Sequence, residues 1–180
     1  MSTTKKWIYS GLFLALAMVL PFLTGQIPAI GSMLLPMHLP AFLCGLICGF
    51  PYGALVGFIS PLLRYVLFGM PPIYPTGIAM AFELLTYGLV SGLIYSRSKH
   101  QNIKTVYVSL ISAMIAGRIV WGLATWLLLG YGGQSFTLAM FVTSGFVTGL
   151  PGIALQLVLI PAIMLVLNKT RLVKFKDAEK

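Results

Sequence analysis

Apolar residues fill this chain in long blocks, and polar residues are confined to short breaks between them. The blocks run at about 7–24, 40–50, 52–68, 75–95, 106–129 and 143–167, with Pro, Gly or charge in the gaps. Blocks near 20 residues match the length at which an apolar helix crosses a hydrocarbon layer. One boundary is ambiguous. If "CGFPYGAL" (48–55) is a kink inside one long helix, there are five spans, and Arg97, Lys99 and Lys104 fall opposite Lys5 and Lys6. If "GFPYG" is a turn, there are six. Lys5, Lys6, Arg97, Lys99, Lys104 and the tail residues Lys169, Arg171, Lys174, Lys176 and Lys180 then share one face. The bias of Lys and Arg toward the cytoplasm selects six spans with both termini cytoplasmic. The outer loops, near 25–37, 69–74 and 130–142, carry no charge.

Composition turns this pattern into a class. Of 180 residues, 58% are hydrophobic and 8% charged, too little polar surface to cover a water-soluble globule. The expectation is an all-α membrane protein, one six-helix bundle over residues 1–180 with no separate soluble domain. The net charge of +9 does not indicate a nucleic-acid partner, because the basic residues are not gathered with stacking aromatics on a soluble face. Cys44 and Cys48, four apart on an apolar helix, read as small buried residues and not as a disulfide or metal site. The start resembles a signal peptide but no small-x-small cleavage site follows before Pro28, so it is kept as a first span.

The second and third spans are short. Eleven residues from Pro40 to Phe50 rise only about 16 Å as a helix, about half the hydrocarbon thickness. Non-helical backbone at such a depth must line a cavity enclosed by protein or filled with water. Pro40 suits a first helical turn, which puts His38 near a helix N-terminus that favours a negative group. Small residues recur every four positions at Ala41, Gly45, Gly49, Gly53 and Gly57, and in the pairs Gly88/Gly92, Ala113/Gly117 and Gly145/Gly149. Rows like these let helices approach closely in lipid. A similar row on the first span, Gly11/Ala15, is a candidate face for another protein.

Four ionisable side chains fall at or within the spans: His38, Arg64, Glu83 and Arg118. Each costs about 2.5–3.5 kcal/mol on insertion scales, so each calls for a partner or a function. At 1.5 Å per residue, Arg64 lies about 7 Å from the outer end of its span, Glu83 about 12 Å and Arg118 about 17 Å. Gln156 reaches a similar level on the last span. Glu83 is the only acid in the membrane against two arginines. A buried pair satisfies one of them, leaving the other to snorkel toward water, which fits Arg64 better than the deeper Arg118, or to meet a ligand carboxylate or phosphate. Tyr87 follows Glu83 by four, Trp121 and Thr125 follow Arg118 by three and seven, and Tyr74 stands at the outer mouth. Trp121, near mid-layer, is the better aromatic candidate for a ligand contact.

Enzyme motifs are missing. One membrane carboxylate cannot serve a di-acid site, and no Gly-x-Ser-x-Gly, His-Glu-x-x-His or Walker sequence is present. No cofactor is implied. Six short spans without an evident repeat also fit poorly with a self-sufficient secondary transporter.

The stretches "LLPMHLP", "GALVGFISPLLRYVLFGMPPIYPTGIAMAFELLTYGLVSGLIY", "AGRIVWG" and "GLPGIALQL" together resemble the substrate-binding S components of energy-coupling factor (ECF) vitamin transporters, over nearly the whole chain. The resemblance implies a six-helix protein of the prokaryotic plasma membrane that captures a vitamin on its outer side. It implies as partners a T component and two cytosolic ABC-type ATPases, with the binding protein toppling in the membrane to deliver its substrate. The branch resembled is the pantothenate type, and a cavity with two arginines, a histidine and one glutamate complements a small hydroxylated carboxylate. Alternatives are other vitamins or precursors (pyridoxine, hydroxymethylpyrimidine, cobalamin, folate) and a stand-alone carrier. By motif match, loop 25–37 and His38 help close the mouth, Arg64 and Arg118 receive the carboxylate, and Glu83 and Gln156 bond hydroxyl or amide groups. The family's first helix docks on the T component through Ala-x-x-x-Ala; here the row reads Gly11-x-x-x-Ala15.

Overall fold

The computed structural model describes residues 1–24, 27–133, 135–170, 173 and 175, and among them all regular structure is helical. The tail residues Arg171, Lys174, Lys176 and Lys180 lie outside the described residues. Helix α1 (Thr3–Val19) starts at Ser2, whose hydroxyl accepts from the Lys5 amide, and narrows into a 3₁₀ turn, Leu20–Thr24. There follow α2 (Pro28–Leu34), α3 (His38–Cys48), α4 (Phe50–Phe68), α5 (Ile78–Arg97), α6 (Ile103–Tyr131), α7 (Leu138–Val142) and α8 (Leu150–Lys169). Wide turns, Ile73–Gly77 and Thr143–Val147, precede α5 and follow α7.

Six stretches are long and apolar enough to span a membrane: Thr3–Leu23, Ala29–Cys48, Phe50–Phe68, Ile73–Arg97, Ile103–Tyr131 and Leu150–Lys169. The turn reading of "GFPYG" therefore holds, and it is tighter than expected. A single residue, Gly49 at φ +101°, ends α3 and starts α4, a backbone angle that glycine adopts without a Cβ penalty.

Two expected boundaries move. The second span gains length from α2, which occupies most of the supposed loop 25–37 and joins α3 through Leu35 in left-handed geometry (φ 50°). Pro28 at the start of α2 supplies the fixed φ that favours a first turn. The last span begins at Leu150 rather than 143. Gly149 and Pro151 restart the helix there, and the preceding apolar residues form the separate α7 and its wide turn. Part of the supposed loop 130–142 is therefore helical.

Alternating spans return Lys5, Lys6, Arg97, Lys99, Lys104 and Lys169 to one end of the bundle. Trp7 meets Tyr52 edge-on at 5.2 Å and Lys6 lies 5.6 Å from the same ring, fixing the start of α1 beside the Gly49 connection. The opposite end carries the 3₁₀ turn of α1, the end of α4 and the start of α5.

Packing is closest where α3, α4 and α5 meet, and glycine is the reason. A Cβ on Gly45 would lie 2.5 Å from the Gly88 carbonyl oxygen and 2.8 Å from Ser91 Oγ; one on Gly53 would lie 2.5 Å from Gly45 Cα; one on Gly92 would lie 2.6 Å from the Gly45 oxygen. Gly45, Gly53, Gly57, Gly88 and Gly92 are thus helix contacts, whereas Gly49 is the turn and Gly117, Gly145 and Gly149 face the side chains of Tyr87, Trp121 and Arg118. Cys44 and Cys48 are free thiols buried in the same core, beside Phe42 and Leu46. Gly11 differs, because a Cβ there meets nothing within 4 Å.

Gly53→Val must separate α4 from α3 and is expected to destabilise the protein by at least about 2 kcal/mol through overpacking. Gly11→Val should leave the unfolding transition of the purified protein in place. Equal loss at both positions in thermal unfolding would contradict this packing scheme.

Candidate functional site

The end of the bundle away from the lysines encloses a cavity of about 600 Å3. It is lined by residues of α5 and α6, by Arg64 of α4, by Pro21 of the turn after α1, and by several residues of the 27–38 segment. Pro21, Pro36, Pro71 and Pro72 form much of the rim. Proline has no N–H to leave unsatisfied, and its fixed φ gives the rim a rigid apolar edge.

Glu83 organises the polar part of the lining. Its Oε1 accepts from the Tyr87 hydroxyl at 2.7 Å and pairs with Arg118 Nη1 at 2.8 Å, while Oε2 lies 3.6 Å from His38 Nε2. Glu83, Arg118 and His38 are 2%, 4% and 1% exposed. Local sequence explains the geometry. Glu83 and Tyr87 are four apart on α5 and so share a face, and Phe42 of α3 stacks on the Tyr87 ring at 4.6 Å. Gly117 gives that ring its space, since any Cβ there would collide with it. Arg118, next in the chain, is thereby brought onto the carboxylate.

Hydrogen-bonding capacity is left over. Arg118 Nε and Nη2 and His38 Nδ1 are buried without a hydrogen-bond partner among the described residues. A Cβ on Gly149 would sit 2.9 Å from Arg118 Nη2, so the missing side chain keeps space around that nitrogen. Buried nitrogens without partners are costly, and on a cavity wall these can be met by water or by a small molecule.

Arg64, on α4, also lines the cavity. Its Nη1 donates to the Met18 carbonyl at 2.8 Å, and its guanidinium lies 5.3 Å from the Phe22 ring centroid and 5.1 Å from that of Phe68. No carboxylate lies within ion-pair distance of it among the described residues. It is 4% exposed, so it does not snorkel into solvent.

Residues 5–164 match the family described as ECF transporter, substrate-specific component. The chain belongs to that family. No curated protein and no solved structure matches it. ECF S components are membrane subunits of transporters and not enzymes; they bind a small substrate and work with a T component and ATPases.

In this S component His38, Arg64, Glu83, Arg118 and Trp121 all line the one cavity. Trp121 is held by Phe136 and Phe141, with ring centroids at 6.0 and 6.2 Å. Gln156 is not brought to the wall: its Nε2 donates to the Leu35 carbonyl at 3.4 Å, tying α8 to the left-handed joint between α2 and α3. Gly152 adds to that joint, since a Cβ there would lie 2.6 Å from the Met33 carbonyl oxygen. Thr125 is buried on α6 outside the cavity lining, and the Tyr74 hydroxyl donates to the Leu128 carbonyl instead of facing a ligand. Gly11 and Ala15 are exposed on α1. Which arginine Glu83 takes was open in the sequence: it pairs with Arg118, and Arg64 has no acid within ion-pair distance among the described residues.

Sequence reasoning missed Thr76, Met80 and Thr148, which also line the cavity. The first two carried a signal: Thr76, Met80 and Glu83 follow the four- and three-residue steps of one helical face. Thr148 carried none, since the break before α8 was read as continuous helix.

Removing one partner of a buried ion pair costs about 3–5 kcal/mol. Glu83→Gln is therefore expected to lower the unfolding midpoint sharply, and Glu83→Leu combined with Arg118→Met should recover most of the loss. A Glu83→Gln protein as stable as the parent would refute the pairing.

Proposed function

We propose that this S component captures pantothenate, a small monoanionic vitamin, and that Arg64 receives its carboxylate. The observation that carries the reading is the charge count in the cavity: Glu83 offsets Arg118, and Arg64 remains as one positive charge with no acid beside it among the described residues. A monocarboxylate restores neutrality, and a guanidinium can hold it through two parallel hydrogen bonds. Neutral and cationic vitamins leave the charge unmet. The unpartnered nitrogens of Arg118 and His38 suit the amide and hydroxyl oxygens of pantothenate, and the prolines, Met80 and Trp121 suit its dimethyl carbon chain. The volume, about 600 Å3, lies in the range of small-molecule sites.

In this reading residues 1–180 form one substrate-binding unit in the prokaryotic plasma membrane, both termini cytoplasmic, with the cavity on the outer side. Gly11 and Ala15 form the face of α1 that meets the T component. Two cytosolic ABC-type ATPases supply the energy, which agrees with the lack of a Walker sequence here. His38 and the segment around α2 close the mouth, and Gln156 acts through Leu35 as a positioning residue of that closure. The competing assignment, another vitamin of the same family, is decided by mass spectrometry of the small molecule that co-purifies.

Cells expressing the chain together with a T component and both ATPases should accumulate labelled pantothenate, and cells with the chain alone should not. Uptake by the chain alone would make it a self-sufficient carrier. Arg64→Ala should weaken pantothenate binding about 100-fold, as expected for losing a desolvated charge contact. Binding at the parent's affinity would remove Arg64 from the site.

A further inference from the structure

The cavity end of α1 is held by a side chain from another helix. From Leu20 the chain tightens into a 3₁₀ turn, where a carbonyl accepts from the residue three ahead. Pro21, in that turn, has no N–H to donate back toward the last turn of α1. The Met18 carbonyl in that last turn accepts from Arg64 Nη1, 46 residues away on α4. Phe22, in the same turn, and Phe68, at the end of α4, flank the guanidinium at cation–π distance. Neither phenyl lines the cavity, whereas Arg64 does.

One guanidinium therefore serves the backbone of α1, an aromatic ring of the α1 turn and the cavity wall. We infer that Arg64 couples the cavity to α1: an anion bound on the cavity edge of the guanidinium locks residues 18–24 in place, and those residues in turn set the affinity for the anion. The inference rests on the reading of Arg64 as the anion receiver. A planar fork of five N–H donors can hold a carbonyl and a carboxylate together, which the compact ammonium of lysine cannot do in the same geometry. Linkage makes the effect reciprocal. Helix α1 packs on α3 and α4 and exposes Ile8, Gly11, Leu12 and Ala15 on its outer face. Occupancy would thus be transmitted from the cavity to the helix that carries the proposed docking row.

The test uses the full chain in lipid nanodiscs with pantothenate as the probe, reading hydrogen exchange at residues 18–24 and affinity by calorimetry. In the parent, pantothenate should slow exchange in that segment. Phe22→Leu, at a half-exposed residue outside the cavity, should weaken binding about 3- to 10-fold through the lost ring contact. Arg64→Lys keeps the charge and should lose the protection. If the parent binds pantothenate while exchange at 18–24 is unchanged, or Phe22→Leu binds as the parent does, the coupling is overturned and the capture function stands. If the parent does not bind pantothenate, the vitamin assignment fails. The ligand-free Arg64→Lys protein then decides the anchor: faster exchange at 18–24 supports it, and unchanged exchange overturns it.

Discussion

The structure depends on one carboxylate being shared. Glu83 is the only acid before the last few residues of the chain, and it sits where Tyr87, His38 and Arg118 converge. A carboxylate in so apolar a place persists because cationic and hydroxyl partners compensate for the water it lost. It pairs with Arg118 and makes no ion pair with Arg64, which lines the same cavity. The hydrophobic bundle explains why the chain folds in a membrane. On the proposed reading, the unequal count of buried charges is what a bound anion balances.

Close helix packing makes that sharing possible. Gly45, Gly53, Gly88 and Gly92 bring α3, α4 and α5 to backbone contact, so that His38 at the start of α3 and Glu83 on α5 can face one another. Gly117 gives space to the Tyr87 ring and Gly149 leaves space beside Arg118. In lipid, where apolar burial offers little drive for helix association, such contacts do much of the work of assembly. The same glycines that hold the bundle together set the positions of the polar groups at its cavity end.

Much of this was readable from residues alone. Six spans followed from the apolar blocks together with the one-sided lysines; Arg64, Glu83 and Arg118 were singled out by depth along their helices, His38 by its place at a helix start and Trp121 by sharing the Arg118 face. The sequence did not disclose which arginine Glu83 takes, because depth along an axis says nothing of rotation about it; the Tyr87–Gly117 contact decides that. Gln156 has the right depth yet turns to the Leu35 carbonyl, since α2 folds back over α8 where a loop was expected. Thr148 was hidden for a related reason, as glycines inside an apolar run did not announce that the helix stops and restarts at Gly149.

The most direct test of an unmatched guanidinium is to change the charge of the guest and nothing else. Calorimetry should show pantothenate binding about 100-fold more tightly than panthenol, its neutral alcohol analogue, as expected for a desolvated charge pair. With Arg64→Gln the two should bind alike. Equal affinities in the parent protein would contradict the account.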